Sequence, residues 1–208
     1  MGTLFVALAL TGEPDPPWSK GPPALVEFTT GEGDVTKQVV MESNRMQEAT
    51  DMCWATCSEM IMETVAQGER IRQCWQATNA LGWLGCCDFR TSVAEECAYD
   101  GWPDFPNWRF QCVTNTIGPL EWVQITREID ERRPFAYAYS SGEVTHMMVI
   151  KGYQIVDGQK QLLCLNPIKG QPCLEPFIDF GDYTNRADLT GRVHVKDFLG
   201  VRRPGGQQ

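Results

Sequence analysis

Cys53 lies in the stretch Gln47-Glu48-Ala49-Thr50-Asp51-Met52-Cys53-Trp54-Ala55-Thr56-Cys57, where an amphipathic helix is predicted to begin. A helix N-terminus favours thiolate over thiol, because its unpaired N–H groups and its dipole stabilise negative charge. The thiolate is the form that attacks a carbonyl carbon. Gln47, six residues upstream, carries an amide that can donate to the oxyanion such attack creates. The chain has two histidines, His146 and His194. His146 opens an apolar run that reads as a strand, and 20 positions later Asn166-Pro167 closes a second one. Nucleophile, base and orienter thus occur in the order Cys53, His146, Asn166. Each stands at the end of a regular element, where a rigid scaffold can hold it.

Each of these residues also has a plainer reading. A lone cysteine is first a small core residue. Asn166 before Pro167 is an ordinary strand-end turn residue, and Asp157 and Asp179 are alternative orienters. Gln47 alone reads as a surface residue flanking a helix. His194 sits in Arg192-Val193-His194-Val195-Lys196, whose alternation predicts a solvated face. Trp83, Trp102 and Trp108 are groove candidates, with loop packing the simpler reading. A zinc site from Cys86, Cys87, Cys97 and Cys112 lacks paired Cys-x-x-Cys spacing, so no metal is expected.

Gln47, the Cys53-Trp54-Ala55 helix start, His146 before its apolar strand, and Asn166-Pro167 together resemble the papain-like cysteine peptidases. The similarity is to the compact bacterial branch. That branch includes plant-pathogen effector proteases, with a Gln…Cys-Trp-Ala-Ala-Cys segment and a downstream Cys-Cys pair, and double-glycine leader peptidases. The resemblance runs from about Arg45 to Phe198. It implies Cys53 as nucleophile, His146 as base, Asn166 as orienter and Gln47 as oxyanion donor, with no cofactor. Thr145 stands where compact relatives often carry glycine, and Thr56 replaces the second alanine. Residues 1–40 match no part of the pattern.

The elements that must position these groups follow from periodicity. Residues 3–10 read as a strand and residues 12–23, with five prolines, as an extended connector. Leu25 to Thr30 and Val35 to Met41 read as two strands around Gly31–Asp34. Asp51 is the expected N-cap of a helix from Met52 to about Gln67, with Trp54, Cys57, Ile61 and Val65 buried and Ser58, Glu59 and Glu63 on the other side. A second helix from Ile71 to Leu81 would bury Ile71, Cys74, Trp75 and Leu81. A short helix is expected over Ser92 to Tyr99, a surface loop over 101–118, and a helix from Pro119 to about Arg132 with Trp122, Ile125 and Ile129 inward. Strands follow at Phe135–Tyr139, Met147–Ile155 and Gln161–Leu165, the last two joined by a hairpin at Val156–Gln159. Residues 170–190 read as a polar loop and Val193–Val195 as a returning strand. Helices first and an antiparallel sheet after them make an α+β pattern. The domain reading is an N-terminal β/Pro-rich extension over 1–44, a peptidase domain over 45–200 and a frayed tail over 201–208.

At 208 residues the chain can bury a substantial core. Its net charge of −9 argues against a nucleic-acid partner. The apolar run near the N-terminus is too short to span a bilayer and lacks the flanks of a signal peptide, so no integral membrane segment is expected. Nine cysteines suit either an oxidising compartment, with disulfides and Cys53 left free, or a reducing one with buried thiols. The reading favours at least one disulfide, with the adjacent Cys86 and Cys87 bonded elsewhere rather than to each other, and a secreted or delivered protein. The expected function is a cysteine endopeptidase acting on a peptide or protein substrate. Two alternatives stand beside it: the same triad used for acyl transfer or deamidation, and an inactive papain fold used as a binding module. The oligomeric state is left open.

Overall fold

The computed structural model describes residues 21–29, 33–87, 93–142, 144–168, 177–184 and 192–204. The predicted strand over 3–10, most of the proline-rich connector and the last four residues lie outside them. Among the described residues, eight strands form one antiparallel sheet with helices on both faces, a mixed helix-and-sheet architecture as the pattern implies.

The strands are β1 (Leu25–Phe28), β2 (Val35–Val39), β3 (Gln111–Asn115), β4 (Phe135–Ser141), β5 (Val144–Val156), β6 (Gln159–Leu165), β7 (Phe177–Asp179) and β8 (Arg192–Arg202). Their order is β1-β2-β5-β4-β8-β3, with β6 also pairing β5 and carrying β7. The β5–β6 hairpin turns at Asp157 and Gly158, both left-handed (φ 49° and 75°), the geometry whose twist suits a two-residue hairpin. The β1–β2 pair joins the sheet through β2 on β5. Gly152 permits that approach: a Cβ there would stand 2.4 Å from the Lys37 carbonyl oxygen.

Period-two alternation in β4 sorts the core. Phe135, Tyr137 and Tyr139 point to one face, where they pack with Ile125 and Ile129 of helix α3 (Trp122–Asp130) and with Tyr183 of helix α4 (Phe180–Thr184). Ala136 and Ala138 point to the other and form a low floor. Helix α1 (Cys53–Val65) settles on that floor, alongside Met147 and Val149 of β5. Helix α2 (Gln73–Leu81) lies beside α1 and ends at Gly82, in the left-handed conformation common after a helix.

Several expectations are corrected. Twelve of the thirteen α1 residues are buried, including Ser58, Glu59 and Glu63, so α1 has no solvated face. Its charges are compensated: Glu63 is held by Arg45, Glu59 pairs with Arg45 and Arg70, and Ser58 bonds Gln76. Burying a carboxylate without such partners is prohibitive. Asp51 is not the N-cap; it adopts a left-handed turn (φ 62°), and Met52 occupies the cap without a side-chain bond. Trp75 and Leu81 are exposed. The expected helix over 92–99 is only a 3-10 turn, Glu95–Cys97.

The loop over 101–118 holds β3, an edge strand whose polar residues hide its pairing with β8. The loop over 170–190 holds β7 and α4. Strand β8 is longer than the Val193–Val195 expected and continues through the buried Val201 to Arg202, where a tail is expected. Cys74–Cys87 and Cys86–Cys97 form disulfides, so the adjacent pair does bond elsewhere. Among the described residues Cys53, Cys57, Cys112 and Cys164 lie outside these two bridges.

Candidate functional site

The sulfur of Cys53 sits in the first turn of α1, held there because the helix is wedged between the sheet and α2. Cys53 is 7% exposed. It opens onto a partly open cleft of about 110 Å³. One wall is Thr145, His146 and Met147 at the start of β5; the other is Asp100, Gly101 and Trp102, with Trp54 at the base. Cys53 and His146, more than 90 positions apart in the chain, thus line one cleft.

His146 Nε2 lies 2.8 Å from Asn166 Oδ1. The same oxygen accepts a bond from the Ile168 N–H at 3.3 Å. A backbone N–H can only donate, which identifies the amide atom it meets as oxygen. The imidazole nitrogen facing that oxygen must therefore carry the proton. In the neutral ring this leaves Nδ1 as the basic nitrogen. Asp157 and Asp179, the alternative orienters, are elsewhere: Asp157 in the hairpin turn, Asp179 bonded to Gln161.

Gln47 lies outside the lining of the cleft and is half-buried. Its backbone N–H donates to the Pro167 carbonyl at 2.8 Å, which ties it to the residue after Asn166. Gln73 clamps it from both sides. The Gln73 amide oxygen accepts the Glu48 N–H at 2.8 Å, and its nitrogen donates to the Met46 carbonyl at 3.1 Å. This positioning role for a buried glutamine is not visible in the sequence, where Gln73 is one polar residue among several.

The electrostatics of Cys53 differ from the simple helix-terminus expectation. Burial pushes its thiol up from the ordinary range, and the carboxylates of Asp100 and Asp51 add to this. Backbone hydrogen bonds from Met147 and Trp54 act in the opposite direction but do not prevail. Desolvation outweighs the helix N-terminus because the sulfur is nearly enclosed. Cys57, one turn later, donates to the Met147 carbonyl at 3.4 Å, and Cys53 takes part in no disulfide.

The wall over 99–102 is fixed by close packing. Trp54 Nε1 donates to the Tyr99 carbonyl at 3.0 Å, and the two rings meet edge to face with centroids 5.3 Å apart. A Cβ on Gly101 would stand 2.9 Å from the Trp54 ring, so glycine is what lets the chain pass there. The Cys86–Cys97 bridge anchors the same segment two residues earlier. Of the three groove tryptophans considered, Trp102 lines the cleft; Trp83 is 47% exposed, and Trp108 packs against the core. Nothing in the sequence marks Asp100 and Gly101 as cleft residues, because a short polar loop carries no periodic signal.

His194 is not on a solvated face. Its side chain is 3% exposed, and its Nε2 donates to Asp197 at 3.0 Å. Tyr183 and Asn115 donate to the same carboxylate, each at 3.0 Å. The extra residue that shifts the β4–β8 register at Ala138/Tyr139 turns His194 inward, against the alternation. Among the described residues no group of three or more His, Cys, Asp or Glu could hold a metal, and three of the four cysteines weighed as zinc ligands are in disulfides. No helix among them is long and apolar enough to cross a membrane.

No protein-family profile matches the chain, and no curated protein sequence does. Among solved structures the chain is similar to UfSP from C. elegans, with a TM-score of 0.40 and 12% sequence identity. The match covers 86% of this chain and 38% of that one, so the chain spans well under half of that protein's length. A likeness of that size carries no argument about mechanism, and the case for chemistry rests on the cleft itself.

Proposed function

We propose that this chain is a cysteine peptidase of papain-like fold, with Cys53 as nucleophile, His146 as base, Asn166 as orienter and Gln47 as oxyanion donor. The observation that carries the reading is the shared cleft: a free thiol at a helix start faces the strand whose imidazole is oriented by an amide oxygen.

Burial and the nearby carboxylates oppose ionisation of the Cys53 thiol, so the reaction starts with the proton on sulfur. His146 Nδ1 takes the sulfur's proton as sulfur attacks the substrate carbonyl, so that charge develops only in the transition state. The Cys53 backbone N–H and the Gln47 amide receive the developing oxyanion. Collapse of the tetrahedral intermediate breaks the C–N bond, and the imidazolium returns its proton to the leaving amine. Water, deprotonated by His146, then attacks the thioester carbonyl and frees the acid and the thiol. Asn166, being uncharged, fixes the ring without trapping the imidazolium as a carboxylate would.

The test is cleavage of a peptide library, with the sites read by mass spectrometry, and labelling of Cys53 by an epoxide inhibitor. Backbone cleavage that disappears in Cys53→Ala supports the reading. A +1 Da change or an amine adduct on an intact substrate would move the assignment to deamidation or acyl transfer.

A further inference from the structure

The wall facing His146 carries one acidic side chain, Asp100, beside the exposed ring of Trp102. Among the described residues no lysine or arginine is ion-paired with it. Arg45 and Arg70 are engaged by Glu59, Glu63 and Glu48, Arg133 by Glu128 and Glu131, and Arg203 by Glu69. Lys196 rests on the Trp102 ring, 3.9 Å from its centroid. Partial burial, and after it the Asp51 carboxylate, raise the pKa of Asp100.

This is an unfavourable arrangement for a nucleophile. Both carboxylates oppose ionisation of Cys53, the group that must become negative. Yet the segment that carries Asp100 is held firmly, by the Tyr99 carbonyl bond and by the tight seat of Gly101 on Trp54. A cation delivered with the substrate resolves the conflict. It would pair with Asp100 and cancel its field at the sulfur, and both effects favour a cation over a neutral group.

Resting on the reading of Cys53 as nucleophile, we propose that the cleft selects peptides with a lysine or arginine flanking the scissile bond, the cationic side chain pairing with the Asp100 carboxylate. Substrate binding then contributes to activation of the thiol.

The experiment uses the full chain and paired peptides that differ only in lysine against norleucine at each residue flanking the cleaved bond. It measures kcat/KM for wild type, Asp100→Asn and Asp100→Glu. It also follows iodoacetamide alkylation of Cys53 without peptide. The expected result is a preference for lysine of about 10–100-fold in wild type. Asp100→Glu should keep the preference and Asp100→Asn should lose it, while free-enzyme alkylation of Cys53 in Asp100→Asn becomes faster. An unchanged thermal midpoint for Asp100→Asn separates this pairing from misfolding, which exposes the buried thiol and would also speed its alkylation. Equal cleavage of lysine and norleucine peptides by wild type, or a preference that survives in Asp100→Asn, overturns this proposal and leaves the peptidase reading intact. Cleavage of neither peptide, with no cleavage elsewhere in a library, removes both.

Discussion

The two histidines are built alike and situated differently. Tyr139 of β4 is the register partner of both, His146 on β5 and His194 on β8. Each ring uses Nε2 toward a side-chain oxygen, at 2.8 Å to Asn166 and 3.0 Å to Asp197. His194 is enclosed by Tyr137, stacked at 5.7 Å, and by Tyr183, edge-on at 5.6 Å, and its acidic partner is shared with Tyr183 and Asn115. His146 lines the same cleft as Cys53, with its ring edge-on to Tyr139 at 5.7 Å. An oriented imidazole is therefore not by itself a sign of catalysis. One pair is a buried tie between β8, β3 and α4; the other joins a neutral amide beside the cleft that Cys53 also lines.

The sharpest way to break this contrast is to remove each ring. Cys53→Ala and His146→Ala should each lower kcat/KM by about 10³-fold or more with little change in thermal midpoint. His194→Ala should do the reverse, and peptide-cleavage kinetics alongside calorimetry would reveal either histidine in the other's role. Next in size, Asp197→Ala leaves His194 and the Tyr183 hydroxyl buried without their acceptor. It should cost about 3–5 kcal/mol in denaturant unfolding, a loss typical of breaking a buried pair. A loss no greater than that of a surface substitution would mean the network does not tie the sheet as described.

The disulfides come third. Cys97→Ser opens the bridge that precedes the cleft wall and should lower stability by about 2–4 kcal/mol. It should also raise KM, because Tyr99–Trp102 lose their nearest covalent anchor; unchanged KM would confine the bridge to a stabilising role. The smallest effect is in pH. The Cys53 thiol is held above its ordinary range in the folded chain, so alkylation should accelerate with pH through an inflection above about 8.5, the value for a free thiol. The sign for stability follows: above the unfolded thiol's pKa the unfolded state loses its proton first, so this group makes folding less favourable as pH rises. An inflection at or below neutrality would mean that a preformed thiolate replaces the protonated sulfur as the starting state.

How much was legible can be judged residue by residue. The β4, β5 and β6 strands, the hairpin at Asp157-Gly158 and the α1 start at Cys53 were readable, because alternation, turn chemistry and apolar runs are local signals. The Asn166 position could be read from a strand ending before proline. Strand β3 could not, since an edge strand with polar residues looks like a loop until β8 pairs with it. The burial of Glu59 and Glu63 was equally hidden, because Arg45 and Arg70 reach them from outside the helix.

By itself, then, the order of residues determined which groups could react and which segments would become helix or strand, since those depend on neighbours a few positions apart. Tertiary structure decided which imidazole shares a cleft with the thiol, that desolvation prevails over the helix terminus at Cys53, and that Asp100 lines the same cleft. Each of these depends on distances between segments far apart in the chain, and on how much water their packing leaves behind.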